Sequence, residues 1–263
     1  MPRAHRYFLP GHVWHITHRC HKQEYLLKFA QTRQRYIHWL HQARKRFDVA
    51  ILNYTITSNH VHLLVRDGGG GNDIPGMIQL VAGRTGQEYN ARKHRKGAFW
   101  EDRYHATAIE TGQHLQRCLL YVDMNMVRAG VVKHPEDWAH GGYQEIQGHR
   151  RRNTVIDQQA LKIALGLDSV DSLKTVHGEW IGAALREDHL KREENWSQSV
   201  AVGSAEFALG IQSALGLRGR NRDMIEKNDM HVLREAEETY GPIYGCENRP
   251  IEPETLHFRD ISS

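Results

Sequence analysis

The sequence lacks the features that mark several common classes of protein. Its three cysteines, Cys20, Cys118 and Cys246, lie far apart and form no Cys-x-x-Cys pair, which argues against a disulfide framework and a thiolate zinc site. No apolar run approaches the ~20 residues of a membrane-spanning helix, and the first residues lack the apolar segment of a secretory signal. We therefore expect free, buried thiols in a cytoplasmic protein that has no membrane partner.

Charge is distributed unevenly along the 263 residues. Residues 1–150 hold 21 Lys and Arg against 12 Asp and Glu, a net +9, whereas residues 151–263 carry a net −5. The basic part suits a polyanion such as nucleic acid, although a solvated basic surface without a partner explains it equally well. The change in character at 150–152 predicts two units, a main domain over 1–150 and a helical extension with a tail over 151–263.

Alternating and helical patterns predict an α+β domain. Strand-like runs at 12–19, 49–58, 60–65 and 98–109 are separated by amphipathic helical segments at 22–47 and 74–93. This order, β-α-β-β-α-β, is the ferredoxin-like arrangement. The four glycines at 68–71 lack the Lys-Ser/Thr ending of a nucleotide-binding loop, so we assign them to flexibility. With both helices on one face of the sheet, the other face is expected to be open.

Two histidines stand out in the third predicted strand. His60 and His62 flank Val61 and point to the same side of the sheet, because alternate residues of a strand share a face. Their Cα atoms lie about 7 Å apart, close enough for two imidazoles to bind one cation. Such a pair is more often structural than metal-binding, and a metal site needs a third ligand. We expect the two rings on the open face.

Four further histidines precede this pair. His12, His15, His18 and His21 are spaced by three, which places them alternately on the two faces of a strand. They are therefore poor candidates for one shared metal ion. We expect structural or DNA-facing roles for them.

A helix is predicted from Thr111, a plausible N-cap, to Gly130. Opposite its apolar stripe, four polar residues recur at a spacing of four: Gln113, Arg117, Tyr121 and Asn125. Tyr121 and Asn125 therefore project together. Such a line on a surface helix usually faces only solvent.

A basic cluster precedes an aromatic pair in the second quarter of the chain. We expect phosphate contacts from Arg92, Lys93, Arg95 and Lys96, and also from Arg117. Trp100 suits packing near a base, although a core position explains it equally well.

Three segments, in this order, resemble the HUH one-tyrosine transposases, and more narrowly the REP-associated tyrosine transposases. They are 58–65 (Ser-Asn-His-Val-His-Leu-Leu-Val), 99–105 (Phe-Trp-Glu-Asp-Arg-Tyr-His) and 120–130 (Leu-Tyr-Val-Asp-Met-Asn-Met-Val-Arg-Ala-Gly). Pro10-Gly11, the segment 14–17 and the segment 135–138 also match. The family commonly has His at Asp123, Pro at Met126 and serines at Gly141 and Gly142. These departures leave open a diverged copy.

The resemblance implies a function as well as a fold. It makes Tyr121 the nucleophile and His60, His62 and Asn125 the ligands of Mg²⁺ or Mn²⁺. The expected reaction is cleavage and rejoining of single-stranded DNA that carries a hairpin, through a 5′-phosphotyrosine. A tyrosine hydroxyl, with an ordinary pKa of about 10, needs such a cation nearby to attack a phosphate. Such a protein is expected to be nucleoid-associated.

Two questions stay open at this stage. A domesticated hairpin-binding protein without cleavage activity is the alternative function, and a relaxase or rolling-circle initiator is a third reading that lacks the expected helicase region and tyrosine spacing. The oligomeric state is either monomer or homodimer, because the insertion-sequence relatives exchange tyrosine helices between subunits.

Overall fold

The computed structural model describes residues 9–70, 72–150, 152–186, 193–216, 222–227 and 229–235. The core consists of strands β1 (Val13–Arg19), β2 (Val49–Ile56), β3 (His60–Asp67) and β4 (His105–Ile109) with helices α1 (Ala30–Arg44) and α2 (Asp73–Arg92). The strands lie in the order β2-β3-β1-β4, and neighbouring strands are antiparallel. The predicted ferredoxin-like core is confirmed.

The registers fix which side chains share a face. Thr17 lies opposite His62, and Arg19 lies opposite His60, so these four side chains project from the same side of the sheet. The opposite side carries Val61, Leu63 and Val65, which are fully buried. Helices α1 and α2 pack on that second side and on each other. The prediction that the two histidines lie on the face without these helices is confirmed.

That face is nevertheless covered, and the prediction of an open face is wrong. Helix α3 (Gln113–Asp123) packs on it through Leu115, Leu119 and Val122, all fully buried. Three short helices, α4 (Asn125–Arg128), α5 (Tyr143–Ile146) and α8 (Asn195–Gln198), and two longer ones, α6 (Gln158–Ala164) and α7 (Val170–Arg186), follow in the chain. The sheet therefore has a helical layer on both sides.

The extension after residue 150 contains the expected helices and also strands that the sequence did not predict. Strands β5 (Ala201–Gly203), β6 (Arg222–Lys227) and β7 (Met230–Glu235) enlarge the sheet to seven strands, in the order β2-β3-β1-β4-β5-β7-β6. Strand β5 pairs with β4 in parallel, and α9 (Ala205–Ala214) follows it. The expected tail lies outside the described residues.

Several predicted boundaries need correction. Helix α1 begins at residue 30, because the residues before it form a 3₁₀ turn (His21–Gln23) and loops. Strand β4 begins only at residue 105, because residues 101–104 turn after an isolated bridge from Trp100 to Cys20. The helix predicted over 111–130 divides at Met124, and its first cap is Gly112. Gly130 does end it, with a φ of +67°.

Two further observations concern the cysteines and the question of a membrane-spanning helix. Cys20 and Cys118 are buried free thiols, as expected, and Cys246 lies outside the described residues. Within the described ranges, the helices include none with the length and apolar content needed to span a bilayer.

Candidate active site

The two histidines of β3 line a cleft of about 410 Å³ at one end of the sheet. The wall opposite them is formed by α3 and α4, and Ser197 of α8 closes a third side. The cleft is lined by Thr17, Arg19, Gln23, Asn59, His60, His62, Tyr121, Asn125, Arg128, Ala129 and Ser197. All four residues predicted as nucleophile and metal ligands are therefore brought together within one chain.

The ring of His60 is held by the turn that precedes β3. Its Nδ1 lies 2.7 Å from Asn59 Oδ1 and 3.0 Å from Thr57 Oγ1, while the Thr57 hydroxyl donates to the His60 carbonyl. Both side-chain oxygens accept here, so Nδ1 of His60 carries the proton and donates. In the neutral ring, Nε2 then keeps the lone pair that a metal ion needs.

The ring of His62 is held by a third histidine. Its Nδ1 lies 2.9 Å from His15 Nε2, and the two rings are nearly parallel with centroids 5.1 Å apart. His15 in turn contacts the carbonyl of Trp196 at 2.6 Å through Nδ1. Burial lowers the pKa of His15 to about 4 and holds the pKa of His62 well below its usual value, so both rings are neutral at pH 7.

Tyr121 stands over this pair rather than facing solvent. Its ring centroid is 5.7 Å from that of His62 and 6.0 Å from that of His15, both edge-on, and Trp196 packs at 6.4 Å. The tyrosine is only 8 % exposed. Of the predicted polar line, Tyr121 and Asn125 line the cleft, whereas Gln113 is exposed and Arg117 lies outside the cleft lining.

Arg128 contacts the tyrosine from the solvent side. Its guanidinium lies 4.3 Å from the centre of the Tyr121 ring and donates to the Tyr121 carbonyl at 2.6 Å. In an uninterrupted helix that carbonyl would accept from the amide four residues later, so this contact accounts for the break between α3 and α4. Arg19 also lines the cleft, which gives it two cationic side chains suited to a phosphate.

Asn125 begins α4, one turn after the tyrosine. Its Nδ2 lies 3.0 Å from Nε2 of His62, where an N–H donates to the imidazole lone pair. The carboxamide therefore points at the atom through which His62 would bind a metal. The predicted convergence of His62, Tyr121 and Asn125 is present in the structure.

The donor set fits a divalent cation. His60 and His62 both keep the Nε2 lone pair, and the carboxamide adds an oxygen, a mixture that suits Mn²⁺ and, through its oxygen, Mg²⁺. Among the described residues no group of three His, Cys, Asp or Glu could hold a metal ion. The third protein ligand would thus be the Asn125 amide.

The predicted phosphate contacts lie at the rim of the cleft or away from it. Arg95 donates to the Ala98 carbonyl at 2.8 Å and pairs with Glu24 at 3.6 Å, beside Gln23 of the cleft. Lys93 lies over the Phe29 ring at 4.5 Å. Arg92 donates to Thr32 Oγ1, Lys96 is exposed, and Arg117 of α3 is half-buried outside the cleft lining.

Trp100 is half-buried and packs against the hydrophobic core, which is close to the alternative prediction of a core position. Its indole stacks on His18 with centroids 4.1 Å apart, and its Nε1 donates to the Ala82 carbonyl at 3.0 Å. Two exposed rings follow Gln23 of the cleft in sequence, Tyr25 and Phe29, which are 65 % and 40 % exposed.

Asp123, where the resembling family commonly has His, is held by a side chain of the extension. Its Oδ2 accepts from His177 Nε2 on α7 at 2.9 Å, and its Oδ1 accepts from Asn53 at 3.0 Å. All three residues are buried. The residue that departs from the family, Asp123, is thus hydrogen-bonded to a histidine of α7.

The remaining departures from the resembling family are Met126 and the glycine pair Gly141 and Gly142. A Cβ at Gly142 would overlap the Asn53 amide oxygen, which accounts for a glycine where a serine is expected, whereas Gly141 has ordinary space. Met126 is buried. None of these departures removes a residue from the cleft.

Sequence reasoning missed several residues of the cleft. The spacing by three correctly predicted that His15 and His18 lie on opposite faces of the sheet. It did not show that His15 lies diagonally beside His62 on the neighbouring strand. Arg128 stood within a matching segment, Arg19 lay two residues after one, and both went unassigned. Their positive charge close to the histidines and the tyrosine was the available signal.

Comparison with known proteins found one matching family model. Residues 10–125 match the model of the family described as "Transposase IS200 like", a segment that runs from before β1 to Asn125. No curated protein matches the chain.

Two solved structures are similar in part. One, described as a REP-associated tyrosine transposase bound to a REP hairpin, shares 19 % identity over 65 % of this chain and 90 % of its own, with a TM-score of 0.47. The other, a putative transposase from Deinococcus radiodurans, shares 12 % identity over 47 % of this chain and 96 % of its own, with a TM-score of 0.33. Residues 10–125, which make up less than half of the chain, are therefore similar to the IS200-like transposases.

Proposed function

We propose that this protein is a transposase that cuts and rejoins single-stranded DNA with Tyr121 as nucleophile and with Mg²⁺ or Mn²⁺ held by His60, His62 and Asn125. The observation that carries the proposal is the meeting of the Tyr121 ring with His62, 5.7 Å apart, in a cleft that Asn125 also lines. The family match over residues 10–125 supports a transposase function, and this geometry supports tyrosine chemistry within that class.

The covalent step exchanges one phosphate ester for another. The Tyr121 oxygen attacks a phosphodiester, the P–O3′ bond breaks, and the 5′-phosphate becomes esterified to the tyrosine. The phenol gives its proton to water in the cleft, and the departing 3′ oxygen takes one up. Because the ester is retained, a later 3′-hydroxyl reverses the step without a nucleotide cofactor.

The chain's own groups account for positioning and charge. Arg128 lies over the Tyr121 ring, and Arg19 lines the same cleft, so two cations face the position of the scissile phosphate. Trp196 packs against the ring and limits water on that side. A bound divalent cation would withdraw charge from the phosphate oxygens and orient the bond.

The DNA strand is proposed to leave the cleft over the turn at residues 21–29. Gln23 lines the cleft, and the exposed Tyr25 and Phe29 follow it directly. Lys28 and Lys93 lie over the Phe29 ring at 5.2 and 4.5 Å. Exposed rings among cations suit stacked bases and a phosphate backbone, and Arg92, Arg95 and Lys96 extend the basic surface.

Recognition of a hairpin from a repetitive extragenic palindrome is the finer part of the proposal. It is supported by the segments shared with REP-associated transposases and by the net +9 charge of residues 1–150. Arg117 is retained as a proposed phosphate contact on the outer part of α3.

The test is covalent capture. The full chain is incubated with an oligonucleotide that carries a hairpin and single-stranded flanks, in Mn²⁺, Mg²⁺ or EDTA, and then run on a denaturing gel. We expect a slower, DNA-labelled protein band that requires metal and disappears in Tyr121→Phe. Tyr89→Phe is the matched control, since Tyr89 is buried on α2, against the other face of the sheet.

Two outcomes would contradict the proposal. An undiminished adduct in Tyr121→Phe would place the nucleophile elsewhere. Hairpin binding without strand cleavage in any metal would favour the alternative, a domesticated binding protein.

A further inference from the structure

We propose that His15 is a positioning residue for the candidate metal ligand His62, and that the C-terminal extension contributes through the backbone carbonyl of Trp196. The inference rests on the proposed metal site, and it adds to that site a residue and a segment outside the predicted ligand set. It also gives the extension a part in the chemistry of the cleft.

The chain of contacts fixes where each proton lies. A carbonyl oxygen only accepts, so the 2.6 Å contact with Trp196 places a proton on Nδ1 of His15. In the neutral ring Nε2 of His15 is then an acceptor. The 2.9 Å contact with Nδ1 of His62 is consequently donated by His62.

The same reasoning carries through to the cleft. With its proton on Nδ1, His62 keeps the lone pair on Nε2, and the Asn125 Nδ2, 3.0 Å away, donates to it. All three contacts are satisfied by this one arrangement of protons. The opposite tautomer of His62 would set its Nε2–H against the N–H of Asn125 and leave Nε2 unable to bind a metal ion.

Packing supports a fixed orientation of the two rings. His15 is fully buried, and the plane of its ring lies within 6° of that of His62, as the in-plane hydrogen bond between them requires. The neighbouring residues of the extension are also tied to the sheet, because Ser199 accepts through its carbonyl from His105 and Thr107 of β4. Trp196 thereby holds His15 from the opposite side to the cleft.

The two candidate histidine ligands are thus prepared in different ways. His60 takes its proton arrangement from Thr57 and Asn59 in the adjacent turn. His62 takes its own from His15, and His15 in turn is held by Trp196, 181 positions after His15 in sequence. Hydrogen bonds of this kind orient metal-binding histidines, and their loss typically lowers metal affinity by about 10–100-fold.

The experiment compares two substitutions of one residue in the full chain. His15→Leu removes both hydrogen bonds, whereas His15→Gln keeps one donor and one acceptor. We expect Mn²⁺ affinity, measured by calorimetry or by the EPR signal of free Mn²⁺, to fall by about 10–100-fold in His15→Leu and to be largely restored in His15→Gln. His18→Leu is the matched control, because His18 is also buried on β1 but faces the other side of the sheet.

The second readout needs no metal. A ¹⁵N spectrum of the imidazole nitrogens at pH 7 should show His62 protonated at Nδ1 in the wild type, and a mixture of tautomers in His15→Leu. This separates the inference from the proposed function. Absence of Mn²⁺ binding in a wild type with the expected tautomer would overturn the metal site and leave the positioning role of His15 supported.

Two results would overturn the inference itself. One is a wild-type His62 protonated at Nε2, and the other is a folded His15→Leu that binds Mn²⁺ as tightly as the wild type does. If His15→Leu does not fold, the wild-type spectrum and His15→Gln still decide the question.

Discussion

The buried contact between Asp123 and His177 joins the tyrosine helix to the extension, and its removal should be measurable as a coupling energy. Gln147 Nε2 donates to Nδ1 of His177 at 2.9 Å, so the ring donates from Nε2 to the Asp123 carboxylate. Asn53 supplies a second donor to the carboxylate. The perturbations are Asp123→Ala, His177→Ala and the double variant.

The magnitude follows from burial and from the charge of the acceptor. A hydrogen bond to a charged group contributes about 1.5–3 kcal/mol, and truncation also leaves a cavity. Each single variant should therefore lower the free energy of unfolding by about 2–4 kcal/mol. The double variant should lose less than the sum of the two, by at least about 1.5 kcal/mol, since the shared interaction is removed only once.

The assay is urea unfolding monitored by circular dichroism. The slope of the free energy of unfolding against urea concentration is compared among the variants. Thr175→Ala, at an exposed position of α7, is the control and should change stability by less than about 0.5 kcal/mol. Because Asp123 lies two residues after Tyr121, His177→Ala should also slow adduct formation at temperatures where it is folded. If the loss of stability in the double variant equals the sum of the two single losses to within about 0.5 kcal/mol, the coupling is refuted.

Three further predictions concern other parts of the chain. Burial, with nearby arginines, lowers the pKa of His140 to about 4, so the unfolded state binds a proton that the folded state does not between about pH 6.5 and 4. Stability should fall as the pH is lowered through that window, and His140→Phe should reduce the slope by up to about 1.4 kcal/mol per pH unit, measured by urea unfolding. Gly142→Ala should cost about 1–3 kcal/mol, because its Cβ overlaps the Asn53 amide, while Gly141→Ala should cost less. Arg128→Ala should reduce adduct formation more than Arg128→Lys does, since the lysine keeps a positive charge beside the phosphate; equal rates in the gel assay would contradict this.

Local patterns determined the core of the fold. Alternation in the four strands and helical spacing between them were enough to predict the ferredoxin-like order, and the same alternation placed His60 and His62 on the face away from α1 and α2. The i, i+4 relation brought Tyr121 and Asn125 to one side of α3, although the helix divides between them. These features depend on neighbours along the chain.

What the sequence did not reveal depends on contacts between distant segments. Strand β5 has three residues and gains its place by pairing with β4, nearly one hundred residues earlier. The cover over the histidines comes from Trp196, and the contact of His15 with His62 runs diagonally between two strands. A periodic pattern does not encode such pairings, because they arise only when the register and the packing are set.

The most direct test of the central claim is the site of covalent attachment. Trypsin releases residues 118–128 as one peptide, which contains Tyr121 and no serine, threonine or other tyrosine. After reaction with hairpin DNA in Mn²⁺ and nuclease digestion, mass spectrometry should find a nucleotide phosphate on this peptide in the wild type and none in His62→Ala. A modified peptide from elsewhere in the chain, with 118–128 unmodified, would contradict the account.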